Sequence, residues 1–227
     1  MAVDRFVSSI DQATRTTPVA NRLQDKSLIP YRRLSLQLHH DLRHGFSSRS
    51  VMLVSPDDGR ICAVAAANLA CCMAEELGRS VLLADATREG LLTSEMTNAA
   101  PRGFNNFLSN ANLPLDDLIL PTSFNDVCFL PSGFRSAGYR PENARDLLAS
   151  TANLFEFVVV AAGAILKDPF ALASAPGFGA VLMLLVENET SMKDYAHAQQ
   201  TLEMCRVENV RVVVVDRLKR PMRDKSV

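Results

Sequence analysis

Ser55, Pro56, Asp57, Asp58, Gly59 and Arg60 lie between an apolar run, SVMLVS (50–55), and the alanine-rich stretch AVAAANLACCMAEELG (63–78). A turn that follows a buried strand and opens a helix is where an α/β protein binds phosphate. That chemistry has three requirements. Glycines let backbone N–H groups fold round the anion, a lysine neutralises the outer phosphates, and a hydroxyl holds Mg²⁺. Gly59 and Arg60 are the one glycine–cation pair of the segment. Guanidinium recognises phosphate well, but its reach differs from that of lysine. Asp57 and Asp58 oppose the idea by placing negative charge beside the same pocket. A second candidate is Asp85, closing the run SVLLAD (80–85), with Thr87 and Arg88 just after it. Asp85 reads as a strand-end residue that hydrogen-bonds neighbouring loops, with a catalytic carboxylate as the alternative.

Other reactive side chains carry less. His39, His40 and His44 share one predicted helix, and His40 and His44 have the i, i+4 spacing that can bind metal. No carboxylate or cysteine accompanies them, so a solvated face is expected and no metal. The five cysteines, Cys62, Cys71, Cys72, Cys128 and Cys205, are odd in number and scattered, against both a disulfide framework and zinc. Cys62 sits where a helix N-terminus could lower a thiol pKa; buried filler is the plainer reading.

The elements that must hold these residues follow from the apolar pattern. SVMLVS (50–55), SVLLAD (80–85), DVCFLPSG (126–133), FEFVVVAAG (155–163), AVLMLLV (180–186) and VRVVVVD (210–216) are continuous runs without in/out alternation. Such runs are strands buried on both faces, as in parallel sheets. Helical stretches separate them: 32–45, 63–78, 140–154 and 191–207. Alternation of strand and helix predicts an α/β fold, a doubly wound, mostly parallel sheet flanked by helices. Residues 1–26 read as a flexible arm, 27–217 as one domain, and 218–227 as a basic tail. At 227 residues, one core suffices.

Composition excludes several functions. The 24 Lys+Arg against 25 Asp+Glu give a net charge of -1, so no global field holds nucleic acid or anionic lipid. The tail residues Arg217, Lys219, Arg220, Arg223 and Lys225 could touch lipid locally, though a solvated end is the expectation. No apolar run approaches the roughly 20 residues of a membrane span, and no leader pattern opens the chain, so a cytoplasmic protein is expected.

In order and spacing, residues 29–217 resemble the cytoplasmic domain of bacterial polysaccharide-biosynthesis tyrosine kinases, the chain-length-determinant or capsular exopolysaccharide family, within the MinD and ParA class of P-loop ATPases. IPYRRLS stands for the family's opening E-A-Y-R-x-L-R, with Tyr31, Arg32 and Leu34 in place. SPDDGRICAVAAANLA aligns without a gap on S-P-x-x-G-x-G-K-[ST]-x-x-A-x-N-L-A. VLLADATREG matches V-L-L-I-D-A-D-x-R-x-G, LPSG and ENARDLL follow, and FEFVVVAAGA stands for F-D-x-V-I-I-D-x-P-P. The resemblance implies a P-loop NTPase-like fold, ATP with Mg²⁺, and tyrosine phosphorylation. It also implies a partner, an inner-membrane chain-length-determinant polysaccharide co-polymerase.

Departures from the pattern fall on the chemistry. Keeping Ser55, Pro56 and Gly59 in register makes the loop's last glycine Ile61, its lysine Cys62 and its hydroxyl residue Ala63. Asp85 survives, but the next family aspartate is Thr87, and the distal one is Ala161. The tail has no tyrosine; Tyr31, Tyr139 and Tyr195 all lie inside the expected fold. The ring-assembly motif reads Ile29, Arg32 and Ser35, keeping only its middle arginine, which puts a family-type ring in doubt. The expectation is therefore a non-catalytic, pseudokinase-like component of exopolysaccharide polymerisation and export, with no cofactor. Tyr31 and Arg32 are offered as partner contacts, contact with the membrane is through the partner, and self-association is allowed. Two alternatives stand: an active autokinase with an atypical site using Arg60, Asp85 and Arg88, and a MinD- or ParA-like localisation factor.

Overall fold

The computed structural model describes residues 28–44, 48–97, 102–135, 138 and 140–215. The arm (1–26), the basic tail (218–227) and Tyr139 lie outside the described residues. Seven strands form one sheet in the order β3-β4-β2-β5-β1-β6-β7. They are β1 (Ser50–Ser55), β2 (Val81–Asp85), β3 (Leu120–Pro121), β4 (Val127–Leu130), β5 (Phe157–Ala164), β6 (Ala180–Val186) and β7 (Val210–Val215). Every pairing is parallel except β3 with β4. The chain is thus the expected α/β fold, a P-loop NTPase-like, mostly parallel sheet between helical layers.

The helices are α1 (Ile29–His44), α2 (Gly59–Leu77), α3 (Leu91–Met96), α4 (Phe104–Ser109), α5 (Asn143–Thr151), α6 (Pro169–Ser174) and α7 (Met192–Met204). Strand side chains alternate between two cores. Val51, Leu53, Val81, Leu83, Val159 and Leu182 face α1 and α2. Met52, Val54, Leu82, Val160 and Met183 face α4, α5 and α7. Each core strand therefore needs apolar residues at every position, which is why period-2 alternation is absent from the sequence.

Helix α2 is the pivot of the molecule. Residues Ile61 to Ala74 are all buried, because α2 is sandwiched between the sheet and α1. Its Ala-Ala-Ala and Cys-Cys side chains are small enough for both neighbours to approach closely. Gly78 ends it in the left-handed region (φ 59°), with its N–H on the Ala74 carbonyl, as a C-terminal glycine does. Three short helices, α3, α4 and α6, were not readable from the sequence. Each has six residues, too few for a 3.6-residue period to show.

Candidate functional site

The C-terminal end of β1 is where the sequence places phosphate chemistry. Ser55 closes the strand and donates its hydroxyl to the Asp58 carbonyl. Asp58 is extended (φ −118°, ψ 101°), and its carboxylate accepts from the Arg60 N–H at 2.9 Å. This is a helix N-cap, and aspartate is among the strongest. Consequently α2 starts at Gly59, four residues before the expected Ala63, and the loop shrinks to Pro56–Asp58. Ile61, Cys62 and Ala63 are buried inside the helix instead of wrapping round a ligand. One of the N–H groups an anion would take is already engaged by Asp58.

Strand β5 seals the same turn from the side. Leu53 pairs with Ala161, but Val54 pairs with Gly163 and Ser55 with Ala164, so Ala162 is the extra residue of a β-bulge. The zip continues beyond the strands. Ile165 N–H donates to the Ser55 carbonyl at 2.9 Å, Leu166 N–H to that of Pro56 at 3.1 Å, and Lys167 Nζ to that of Asp57 at 2.6 Å. Gly163 turns with φ +88°, and a Cβ placed on Gly59 would lie 3.3 Å from its Cα. The two backbones meet there with no side chain between them. Cys62 Sγ lies 3.7 Å from the Gly163 carbonyl, as a weak donor. Burial pushes this thiol up to about 12. Desolvation outweighs any lowering by the helix terminus, so Cys62 is not an activated nucleophile.

Asp85 is fully buried at the end of β2, and all its lone pairs are used. Oδ1 accepts from the Thr87 N–H (2.9 Å) and hydroxyl (2.6 Å). Oδ2 accepts from the Thr93 N–H (2.7 Å) and hydroxyl (2.8 Å). A carboxylate offers about four acceptor sites, so none is left for a metal or its water. The knot reaches further: Ser132 N–H donates to Thr93 Oγ1 at 2.7 Å, and Leu91 N–H to Thr87 Oγ1 at 2.9 Å. Asp85 thereby ties the end of β2 to α3 and to the loop after β4. Burial raises its pKa, while the threonine donors pull the other way. Ala161, beside Asp85 in the β2–β5 register, is a fully buried methyl in the α2 core.

What remains open is a cavity of about 320 Å³ lined by Asp57, Gly59, Arg60, Arg88, Glu89 and the β5–α6 turn. Ser55, Pro56, Gly59, Arg60, Ile61, Cys62 and Ala63 do gather at one turn, but only Gly59 and Arg60 of these line the cavity. Lys167 also lines it and was missed by motif reading. The legible signal was a charged pair, Lys167-Asp168, just past a buried strand. Asp168 is held by Arg135, whose Nη2 lies 2.6 Å away.

Tyr31 and Arg32, offered as partner contacts, are turned inward. Tyr31 is buried against α2, where burial raises its phenol above the usual range and Asn68 partly offsets this. Arg32 Nε pairs with Glu76 of α2 at 3.0 Å. Both fasten α1 to α2, because an amphipathic helix laid on a buried helix needs its long side chains for that contact. Of the histidines, His39 tilts against Phe157 (centroids 5.6 Å apart) and His40 contacts Asp41 at 3.2 Å. The His44 side chain lies outside the described residues. Among the described residues no cluster of three His, Cys, Asp or Glu side chains could hold a metal. Among them, too, no helix is long and apolar enough to cross a membrane.

Sheet order, strand-end turn and flanking helices define a P-loop NTPase-like α/β protein. More narrowly, its fold is that of bacterial tyrosine kinase domains. The kinase domain of Escherichia coli tyrosine kinase ETK superposes with a TM-score of 0.76 at 17% identity, covering 95% of this chain and 90% of that one. The BceF tyrosine kinase domain gives 0.69 at 20% identity, over 92% and 88%. The septum site-determining protein MinD of Pyrococcus horikoshii, complexed with Mg-ADP, gives 0.57 at 20% identity, over 71% and 67%. No protein-family model matches the chain, and no curated protein matches it in sequence.

Proposed function

We propose that this chain is a non-catalytic protein built on the tyrosine kinase fold, and that it works by binding. Its role is to support or regulate exopolysaccharide polymerisation and export at the cytoplasmic face of the inner membrane. The partner is a chain-length-determinant polysaccharide co-polymerase, and contact with the membrane is through that partner.

One observation carries the reading: at the turn where a triphosphate would lie, the Asp58 carboxylate caps α2 at the Arg60 N–H, the Ser55, Pro56 and Asp57 carbonyls are held by residues 165–167, and a cavity of only about 320 Å³ is left. The residues present do not suit Mg-ATP. Cys62 and Ala63 provide neither ammonium nor hydroxyl, Ala161 no carboxylate, and every oxygen of Asp85 is taken. Phosphoryl transfer depends on positioning and charge neutralisation by such groups, and losing one commonly costs on the order of 3–4 kcal/mol. Titration calorimetry with Mg-ATP is expected to give no saturable heat, and incubation with labelled ATP no phosphotyrosine, with or without the partner. Micromolar affinity for Mg-ATP would overturn the reading. Co-purification of the full chain with the co-polymerase from detergent-solubilised membranes tests the partner.

The basic residues of the cavity favour a second reading, an autokinase with an atypical site. Phosphotyrosine on the incubated protein, absent from an Arg60→Gln, Arg88→Gln double variant, would select it.

A further inference from the structure

A second cavity, of about 630 Å³, opens at the opposite pole of the sheet, beside the N-terminal ends of β1 and β5. Six strand rises of about 3.3 Å put Arg49, which lines it, roughly 20 Å from Ser55 and the sealed turn. Its floor is apolar: Leu148 of α5 and Val158 of β5 are buried there, and Phe155 is half-buried. Two guanidinium groups line the same space. Arg145 of α5 makes no hydrogen bond or ion pair to any other described residue. Its stem runs over Gly177, where a Cβ would lie 3.1 Å from Arg145 Cγ. Arg49 Nη1 stands 3.6 Å from Glu156 Oε1, close enough for an ion pair but too long for a hydrogen bond. Its N–H donors therefore stay open to a ligand. Glu156 is the one carboxylate among the described lining residues, and Arg79, outside the lining, holds its other oxygen at 3.1 Å. With Glu156 matched by Arg79, Arg49 and Arg145 are surplus cations above an apolar floor.

We propose that this cavity binds a small organic acid, an aliphatic or aromatic body carrying one carboxylate, with the body on Leu148, Phe155 and Val158 and the carboxylate between Arg49 and Arg145. A volume of about 630 Å³ is in the range of small-molecule sites, which combine apolar walls with a few polar groups that fix orientation. Guanidinium forks match the two oxygens of a carboxylate. A bare anion gains nothing from the floor, and a neutral body gains nothing from the guanidinium pair, so affinity needs both halves of the ligand. The site shares no residue with the β1–α2 turn, and so does not depend on whether that turn binds nucleotide.

The test titrates the full chain with naphthaleneacetate and with octanoate, followed by calorimetry and thermal shift. Sodium acetate supplies the head alone, and naphthylethanol the body alone. One saturable site is expected for at least one of the two acids. Acetate should not saturate, and the alcohol should bind about tenfold more weakly or worse. Arg49→Gln and Arg145→Gln should each weaken the acid roughly tenfold, the effect of losing one charge-assisted hydrogen bond. Ala149→Trp, which fills the cavity while leaving both arginines, should abolish binding. All three side chains are exposed, so unchanged melting curves without ligand will show that the variants fold. Saturation by neither acid, an alcohol that binds as tightly as the acid, or variants that bind like the parent would overturn the proposal and leave the non-catalytic reading intact.

Discussion

Cys62 and Asp85 occupy positions where the fold's chemistry would act, and each is spent on structure. Cys62→Lys is expected to restore no ATP binding, because the new ammonium would be buried under Gly163, and Asp58, the carboxylate that acts on this position, already accepts from the Arg60 N–H. It should lower stability by several kcal/mol, read from urea denaturation, as an unpaired buried charge does. The same burial predicts that Cys62 resists alkylation at pH 8 in the native protein and reacts only after unfolding; mass spectrometry of labelled peptides will check this. Asp85→Ala strands four donors and should cost about 2–4 kcal/mol. Asp85→Asn reports on charge. Burial raises the folded pKa of Asp85 above its unfolded value, so its contribution is full below about pH 4 and is lost as pH rises through the folded value. An asparagine cannot ionise, so denaturation midpoints of Asp85→Asn relative to the parent should improve from pH 4 to pH 7. No change in that difference would mean that the carboxylate titrates normally. Much at this scale was legible: Asp85 as a hydrogen-bonding strand end, Cys62 as filler. Lys167 was not, because its role comes from a β-bulge that brings the β5–α6 turn against the first loop. Nor was the inward turn of Tyr31 and Arg32, since exposure depends on how α1 lies on α2.

Among the elements, α2 and β5 decide what the site can be. Continuous apolar runs located six strands, β1, β2, β4, β5, β6 and β7; the first five of these are largely buried on both faces, as such runs predict, whereas β7 at the sheet edge is half-open and departs from that expectation. The start of α2 was misplaced by four residues, since the motif's spacing suggested a loop where Asp58 instead caps a helix. That cap is testable. Asp58→Ala should cost about 0.5–2 kcal/mol by chemical denaturation, while Asp58→Asn should cost little, because the amide oxygen still accepts from Arg60 N–H. If both variants matched the parent, the helix would not depend on this cap. The six-residue helices escaped notice because their order comes from tertiary contacts: Thr93 fixed by Asp85, and Phe104 and Phe107 buried against the sheet.

Across the whole molecule, one margin of the sheet is covered less than the rest. β7 is an edge strand reading Val-Arg-Val-Val-Val-Val, and Val212 and Val214 are 45% and 63% exposed. Edge strands of this composition recruit other chains unless charged. Val214→Lys should change stability by less than about 0.5 kcal/mol yet raise the concentration at which heated protein scatters light. The opposite margin, at β3, is only two residues long. Between the margins, the Asp85 knot ties the end of β2 to α3 and to the loop after β4. On the non-catalytic reading proposed above, a protein so fastened keeps no internal timer. Under the binding role proposed for it, the strength of its signal is set by how many copies the cell makes and destroys, and control passes from turnover number to gene dosage and proteolysis.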